Sequence, residues 1–507
     1  MFCRITDGMI REVIVLGGGT AGFLSALTLK IKLPHLRIRV VRSKEIGIIG
    51  VGEGSTSDLP YHLHGYLGLE QTRFYKEARP TWKLGVRFLW GPRSHFNYTF
   101  TPQMASHLDG VRKTHGFHMW DDFEDCDVNS SLMSRGKVFA RNQSGLPEIR
   151  RNYAYHIENA WMVEYFEKLA VEHGVEITEA TVEHVERGGE GVASLTLNTG
   201  ERITADLYID ASGFRSELLG KALEEPFDSY SDALFCDRAV AGGWEREEEP
   251  ILPYTVAETM GSGWAWQIEH EEHINRGYVY STAFISDEEA EEEFRKKNPK
   301  VKNTRIVKFR TGRYRRSWVG NVFAVGNAHG FVEPLEATAI FVICQALRFL
   351  AGALEENDCR ISPTMRDSCD RITRNLWDEI RDFLAVHYRY NTRLDTPFWE
   401  ACRNEITLHG AARIVEHYRE NGPSMFAQLD VLPPSSSLFQ LDGFYTLLLG
   451  QKVPHDRPHT PSLAEQAKFA DHRIRNAIAA KSGLTIPEAL AFIRNPHWTW
   501  TPGFFGK

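Results

Sequence analysis

A short apolar run, Glu12-Val-Ile-Val-Leu16, leads into Gly17-Gly-Gly-Thr-Ala-Gly22. Residues 23–33 then have helical composition and stop before Pro34, and Arg37-Ile-Arg-Val-Val-Arg42 alternates polar with apolar positions. Strand, glycine turn, helix and strand over 11–42 predict a β-α-β unit. Thr81 to Trp90 reads as one strand. Its period-two spacing puts Trp82, Leu84, Val86 and Phe88 on one face and Lys83, Gly85 and Arg87 on the other. Residues 91–150, rich in Gly, Pro, Asn and Ser, predict long loops with short strands. A helix is expected over 156–173, then strands over 175–187, 192–198 and 202–210.

Residues 230–318 carry several aromatic strands and a charged helix, Asp287 to Lys297. Its Glu291/Arg295, Glu292/Lys296 and Glu293/Lys297 pairs have the i,i+4 spacing of a solvated face. Val319 to Val325 predicts a strand running into Gly326-Asn-Ala-His-Gly330. From residue 335 onward the pattern is helical, with a break at Pro433-Pro-Ser-Ser-Ser437. Two regions are expected: a core over 1–400 and a mainly helical part over 401–507.

Composition narrows the class. A hydrophobic share of 42% and a charged share of 25% over 507 residues exclude a disordered or fibrous chain. A net charge of −8 gives no basic footprint for nucleic acid. Twelve Trp, 17 Tyr and 29 Phe suit an aromatic core and also an aromatic-lined ligand cavity. The seven cysteines are odd in number and form no CxxC, as expected of reduced thiols in the cytoplasm. The first thirteen residues are charged and lack a signal-like apolar run. The most apolar helical run, Ala339 to Leu354, is interrupted by Gln345 and Arg348 and reads as too short and too polar to span a bilayer. No membrane partner is expected.

Gly17-x-Gly19-x-x-Gly22 sits after a strand and opens a helix, as a dinucleotide pyrophosphate requires. Glycines permit close backbone approach, and the helix offers free N–H groups and a positive dipole. Gly17, Gly19, Thr20, Ala21 and Gly22 are therefore candidate cofactor residues. The acidic residue usual at the end of the second strand is replaced here by Arg42 or Ser43, so Glu45 or Glu53 is the expected substitute for ribose recognition. Two later strand ends, Tyr208-Ile-Asp-Ala-Ser-Gly213 and Asn321-Val-Phe-Ala-Val-Gly-Asn327, favour FAD over NAD. They add Asp210, Gly326 and Asn327 to the candidates, and Asn327 can still hydrogen-bond a ribityl hydroxyl. The fold expected is α/β: a FAD-binding, Rossmann-like fold of the aromatic-hydroxylase type, with a substrate-side sheet and a helical C-terminal part.

Several spaced blocks resemble the flavin-dependent halogenases typified by tryptophan halogenases. They are Gly17–Gly22, Gly50-Val-Gly-Glu-Gly-Ser-Thr56, Thr81-Trp-Lys-Leu-Gly85, Gly263-Trp-Ala-Trp-Gln-Ile268 and Gly330-Phe-Val-Glu-Pro-Leu-Glu-Ala-Thr-Ala-Ile340. Asp382-Phe-Leu-Ala-Val-His-Tyr388 and Asp395-Thr-Pro-Phe-Trp399 add to the likeness, which runs over residues 10–400. Glu269 stands where the family's Trp-x-Trp-x-Ile-Pro motif has proline.

The resemblance implies a two-component enzyme. Reduced FAD comes from a separate NAD(P)H-dependent flavin reductase, and oxygen and halide, chloride or bromide, are co-substrates. Hypohalous acid then crosses a tunnel to a small electron-rich aromatic of indole or phenol type. The resemblance maps catalysis onto Lys83 and Glu336, cofactor contacts also onto Gly52 and Glu53, halide binding onto the backbone N–H groups of Thr338 and Ala339, and a flavin-side wall onto Trp264 and Trp266. The usual Glu-Ser-Thr-Gly is here Glu336-Ala-Thr-Ala339, which bears on halide choice.

Two other readings of the fold stay open: an aromatic monooxygenase, with no need of Lys83 or the two-tryptophan block, and a non-catalytic FAD-binding protein. Homodimer formation is open too. Phe439, Phe444, Tyr445, Trp498 and Trp500 are available as substrate-stacking walls. No metal is expected, since His62-Leu-His64 and His115-Gly-Phe-His118 lack a third ligand.

Overall fold

The computed structural model describes residues 8–46, 52–102, 116–118, 123–424, 426, 431–432, 438–501 and 504–505. The β-α-β unit forms as the pattern predicts: strand Glu12–Leu16, helix Thr20–Lys32 and strand Arg37–Arg42. It lies in a six-stranded sheet ordered Trp318–Val319, Val322–Ala324, Leu207–Asp210, Glu12–Leu16, Arg37–Arg42, Glu176–Glu179. The last five strands are mutually parallel, so their C-terminal ends share one edge. Ligands of open α/β sheets bind at that edge. Helix Thr20–Lys32 packs on Asn159–Glu172 and Ala339–Glu356 to cover the sheet.

A seven-stranded sheet runs Thr304–Lys308, Arg238–Glu245, His273–Tyr280, Gly263–Glu269, Thr255–Met260, Gly85–Leu89, Phe96–Thr99. A separate three-stranded sheet is ordered Glu53–Gly54, Ala154–Ile157, Thr81–Lys83. Long helices follow, Pro363–Arg389 among them.

The expected single strand Thr81–Trp90 is two strands in two sheets. Leu84 breaks it: its N–H donates to the Pro253 carbonyl at 2.8 Å and its carbonyl accepts from Phe100 N–H at 3.1 Å. Trp82 and Leu84 consequently pack into one core, while Val86 and Phe88 pack into another. The expected strand Val319–Val325 likewise divides, with Gly320-Asn321 turning Trp318–Val319 back onto Val322–Ala324. The strands expected over 175–187 and 202–210 each form two shorter ones, and the loop-like stretch 91–150 contains a helix, Val128–Ser134, capped by Asp127. Pro433–Ser437, Gly50 and Val51 lie outside the described residues.

The charged helix forms at Asp287–Lys297 and starts with a capping box at Ser286. Of its three expected pairs, Glu291–Arg295 forms at 2.8 Å, whereas Lys297 turns to Glu258 and Glu293 accepts from Gly261 N–H. The apolar helix is longer than its sequence suggests. The segment Leu335–Glu356 is long and apolar enough to cross a membrane by composition alone, and 67% of its apolar window is buried inside the fold.

Candidate active site

Three turns meet at the shared edge of the parallel sheet. Gly17 has φ +128°, and a Cβ there would stand 2.2 Å from the Ala211 carbonyl oxygen; one on Gly22 would stand 1.9 Å from the Gly17 carbonyl oxygen. This packing is what makes the turn tight. Gly326 brings the third turn against Ala21. Gly19 behaves differently: it caps the helix without any side-chain hydrogen bond, and a Cβ there would meet nothing within 4 Å. The Thr20 hydroxyl beside it is buried with no partner among the described residues. Open space, an orphaned hydroxyl and the free N–H groups of a helix start fit a pyrophosphate. Asn327 lies nearby, lining a cavity of about 330 Å³ with Phe214, Phe309 and Phe331.

Two cofactor candidates have committed side chains. The Asp210 carboxylate accepts from Ser212 Oγ at 2.6 Å and from the N–H groups of Leu218 and Leu219 at 2.8 and 2.9 Å. It holds the following turn and sits at the sheet edge. Glu53 is turned onto Asn159 Nδ2, and burial raises its carboxyl above the usual range. Its side chain is thus engaged with Asn159. Gly52, beside it, packs against Asn275 and His270.

A second cavity, of about 270 Å³, opens between the sheets and the helices. Its walls include Val86, Tyr98, Phe100, Phe341, Leu438 and Phe439, and Glu336 reaches it. Of the five aromatics offered as stacking walls, Phe439 alone lines this cavity, stacked on Phe383 at 3.6 Å between ring centroids. Phe444 packs edge-on against Phe383, Tyr445 on Tyr418, and Trp500 on Tyr75.

Glu336 does not start the helix, as its sequence position suggests. With Ala337 it adopts a left-handed backbone, φ +71° and +56°, and the helix begins only at Ala339. Such conformations cost about 1–2 kcal/mol per residue and persist where surrounding packing imposes them. Here they turn the carboxylate onto His387, with Oε1 3.0 Å from Nε2. Ala339 lies in the helix, so the alanine in place of the family's glycine carries no strain. The first N–H groups of the helix lack intrahelical acceptors, and the Thr338 hydroxyl is buried without a partner among the described residues. That corner has the donors an anion needs.

Lys83 ends the strand Thr81–Lys83 and is 1% exposed. Its ammonium donates to the Ser55 carbonyl at 3.3 Å and lies 5.6 Å from the Phe100 ring centroid. Gly54 lets it approach Ala337: a Cβ there would stand 3.5 Å from Lys83 Nζ and 3.4 Å from Ala337 Cβ. Burial pushes the Lys83 amine down to about 8, partly offset by Glu336.

Trp264 and Trp266 share one face of the strand Gly263–Glu269, their rings 6.2 Å apart, and both are buried in core outside the cavity lining. The Trp264 indole N–H donates to Glu333 Oε1 at 3.1 Å, and Tyr388 O–H donates to the same oxygen. Burial pushes the Glu333 carboxyl up to about 7, and its Oε2 is buried without a partner among the described residues. Glu269, in place of proline, pairs with Arg246 at 2.5 Å.

His387, the partner of Glu336, and Glu333, the partner of Trp264, were missed by the sequence reading: His387 lies in a block quoted only for likeness, and Glu333 three residues before Glu336 in the block that supplied it. Of the histidines set aside as ligands, His62 bonds Thr28 and Arg348, His64 bonds Tyr155 and the Leu69 carbonyl, and His118 packs edge-on against His459. His115 is outside the described residues. One cluster not anticipated, Glu158, His270 and His273, brings its donor atoms within 4.8 Å of one another.

A sequence profile of the tryptophan halogenase family matches residues 12–467. Tryptophan 7-halogenase RebH of Lentzea aerocolonigenes is 29% identical over 97% of this chain and 99% of its own length. Tryptophan 6-halogenase SttH of Streptomyces toxytricini is 33% identical over 89% and 91%. The crystal structure of MibH, a lanthipeptide tryptophan 5-halogenase, superposes with a TM-score of 0.89 at 37% identity, covering 98% of this chain and 96% of that one. The flavin-side edge, the aromatic cavity and the likeness along almost the whole chain have one conclusion: the chain belongs to the tryptophan halogenase family and is a flavin-dependent halogenase of an electron-rich aromatic ring.

Proposed function

We propose that this enzyme halogenates an indole ring held in the cavity above Glu336, with bromide used in preference to chloride. The observation that carries the reading is the approach of Lys83 Nζ and Ala337 to Gly54, which puts a buried amine beside the turn that presents Glu336 to an aromatic-walled cavity. Reduced FAD, when bound at the glycine-turn edge, would supply electrons to oxygen, and the flavin-bound oxidant so produced would convert halide to hypohalous acid. Gly17, Gly19, Thr20, Ala21 and Gly22 would hold its pyrophosphate, and Gly52, Gly326 and Asn327 would flank the flavin side.

Lys83 orients the oxidant. Its ammonium donates a hydrogen bond to hypohalous acid, or its neutral fraction, enlarged by burial, attacks the halogen, breaking the oxygen–halogen bond and giving a haloamine and water, the amine proton going to the departing hydroxide. Glu336 accepts the proton that the ring loses on substitution, with His387 behind it. Thr338 and Ala339 hold halide through backbone N–H groups. Trp264, oriented by Glu333, and Trp266 wall off the flavin. Bromide is the expected halide because it is easier to desolvate and oxidise, and Ala337 removes a serine hydroxyl from the site.

Among the described residues lining the cavity, the charged groups are Glu336 and Asp58, and Asp58 is paired with Arg348 at 2.7 Å. A ring is therefore recognised chiefly by shape and stacking. We further propose that reduced FAD comes from a separate NAD(P)H-dependent reductase in the cytoplasm.

The test is incubation with FAD, a flavin reductase, NADH and either bromide or chloride. Free tryptophan, tryptophan-containing peptides and phenols serve as substrates, and products are read by mass spectrometry. Halogen on the indole, faster with bromide, is expected. Oxygen addition instead of halogen would overturn the reading, and so would equal rates with NADH when the reductase is omitted.

A further inference from the structure

In dinucleotide-binding folds a carboxylate at the end of the second strand takes the ribose next to the pyrophosphate turn. This chain has Arg42 there, directly beside the turn: a Cβ on Gly18 would stand 2.6 Å from Arg42 Cβ. The guanidinium is held between two carboxylates. Its Nη2 lies 2.5 Å from Glu167 Oε1, and its Nε lies 3.5 Å from Glu179 Oε2. Glu167 comes from helix Asn159–Glu172 and is mostly covered. Glu179 ends the neighbouring strand, where it is the lateral partner of Arg42 in the parallel ladder. Its side chain is 49% exposed.

The two carboxylates differ in what they have left to offer. Glu167 makes the short contact to Arg42 and anchors it. Glu179 accepts the Lys44 N–H through Oε1 at 2.5 Å, which fixes its position. Its Oε2 has only the long contact to Arg42, and so keeps lone pairs directed toward solvent at the ligand edge. One guanidinium and two carboxylates sum to a single negative charge, the charge an ordinary acidic residue would place there. The other acidic candidates are worse placed: Glu53 is turned onto Asn159, and Glu45 lies in the helical turn beyond the strand.

We propose that Glu179, steered by Arg42 and Glu167, is the ribose-binding carboxylate of this chain and accepts a hydrogen bond from the 2′-hydroxyl of the cofactor's adenosine. The lost acid of the second strand is restored from the strand beside it. This rests on the FAD-binding reading above.

The test uses the full chain freed of flavin, with affinities measured by calorimetry for FAD, ADP and 2′-deoxy-ADP. The parent should bind ADP about tenfold more tightly than 2′-deoxy-ADP, the scale of one hydrogen bond to a charged group. Glu179→Ala should lower ADP affinity by about the same factor, leave 2′-deoxy-ADP unchanged and so lose the discrimination. Glu167→Ala should keep part of it, because Glu179 remains. A thermal melt of each variant reports folding independently. Equal discrimination in Glu179→Ala and parent overturns the assignment while FAD binding stands. A parent that binds neither FAD nor ADP overturns both readings.

Discussion

His387 Nδ1 lies 2.9 Å from the Phe383 carbonyl oxygen, while its Nε2 lies 3.0 Å from Glu336 Oε1. A carbonyl only accepts, so Nδ1 carries a hydrogen. The imidazole is thus held from both sides, by a backbone carbonyl and by the Glu336 carboxylate, which fixes the orientation of each side chain. His387→Phe removes the partner and leaves the cavity wall largely in place. Product formation should fall about tenfold to a hundredfold, with FAD affinity unchanged. His387→Gln, which can still donate to Glu336, should recover part of the loss. Steady-state turnover beside flavin titration separates this from damage to the fold.

Lys83 is expected to trade stability for activity. Its folded-state value, near 8, lies below the ordinary 10.5. The charged form is therefore penalised in the folded protein, by about 3 kcal/mol below pH 8, and the penalty fades as pH rises toward 10.5. Lys83→Met should raise the melting temperature by several degrees at pH 7 and by little at pH 10.5. It should also bind FAD normally, consume reduced flavin and yield about a thousandfold less halogenated product. Product formation near the parental rate would remove Lys83 from the mechanism.

Glu333 gives the opposite slope with pH. Its carboxyl is pushed up to about 7, so the folded state holds a proton that the unfolded state releases near 4.5. Stability should then decline as pH rises from 4.5 to 7. Glu333→Gln keeps an oxygen for Trp264 and Tyr388 without the charge, and its melting temperature should be flatter over that window. Glu333→Ala strands both donors and should cost about 2–4 kcal/mol. Loss of Trp264 orientation in that variant is read as more reduced flavin consumed per halogenated product.

The glycine turn separates binding from folding. Gly19→Val places its side chain in open space at an ordinary φ of −90°, so it should melt as the parent does and bind FAD at least tenfold more weakly. Gly22→Ala collides with the turn itself and should destabilise the protein. Flavin fluorescence titration and thermal melts of both variants check the contrast.

Thr338→Val removes a hydroxyl with no partner among the described residues. Its stability should change by less than about 1 kcal/mol. If that hydroxyl helps hold halide, the halide KM rises several-fold while the KM for the aromatic stays put. Unchanged halide kinetics would make Thr338 a packing residue.

What the sequence revealed was contiguous chemistry. Gly17–Gly22 and the charged helix Asp287–Lys297 depend on neighbours a few residues apart, so their periods and caps are written locally. Lys83 and Glu336 were singled out through short blocks that resemble a known family, and the structure brings Lys83 and the turn that carries Glu336 together at Gly54. The cavity was not legible, because its walls come from five separated segments around residues 58, 86, 98, 341 and 438, joined only by tertiary packing. His387 stands 51 residues after Glu336 in the chain, and no spacing rule links them. Leu84 looked like any strand residue, since alternation describes side-chain direction and says nothing of which partner strand each half will find.

The break at Leu84 has a consequence for how such an enzyme changes. The amine of Lys83 rides on the small sheet beside Gly54, whereas Val86, Tyr98 and Phe439 shape the cavity from the far side of the pinned residue. Replacing cavity residues to admit a different ring therefore leaves the strand that carries the amine in place. On the roles proposed above, the amine and these ring-facing walls have separate supports, and a lineage can redraw the walls without rebuilding the strand beneath the amine.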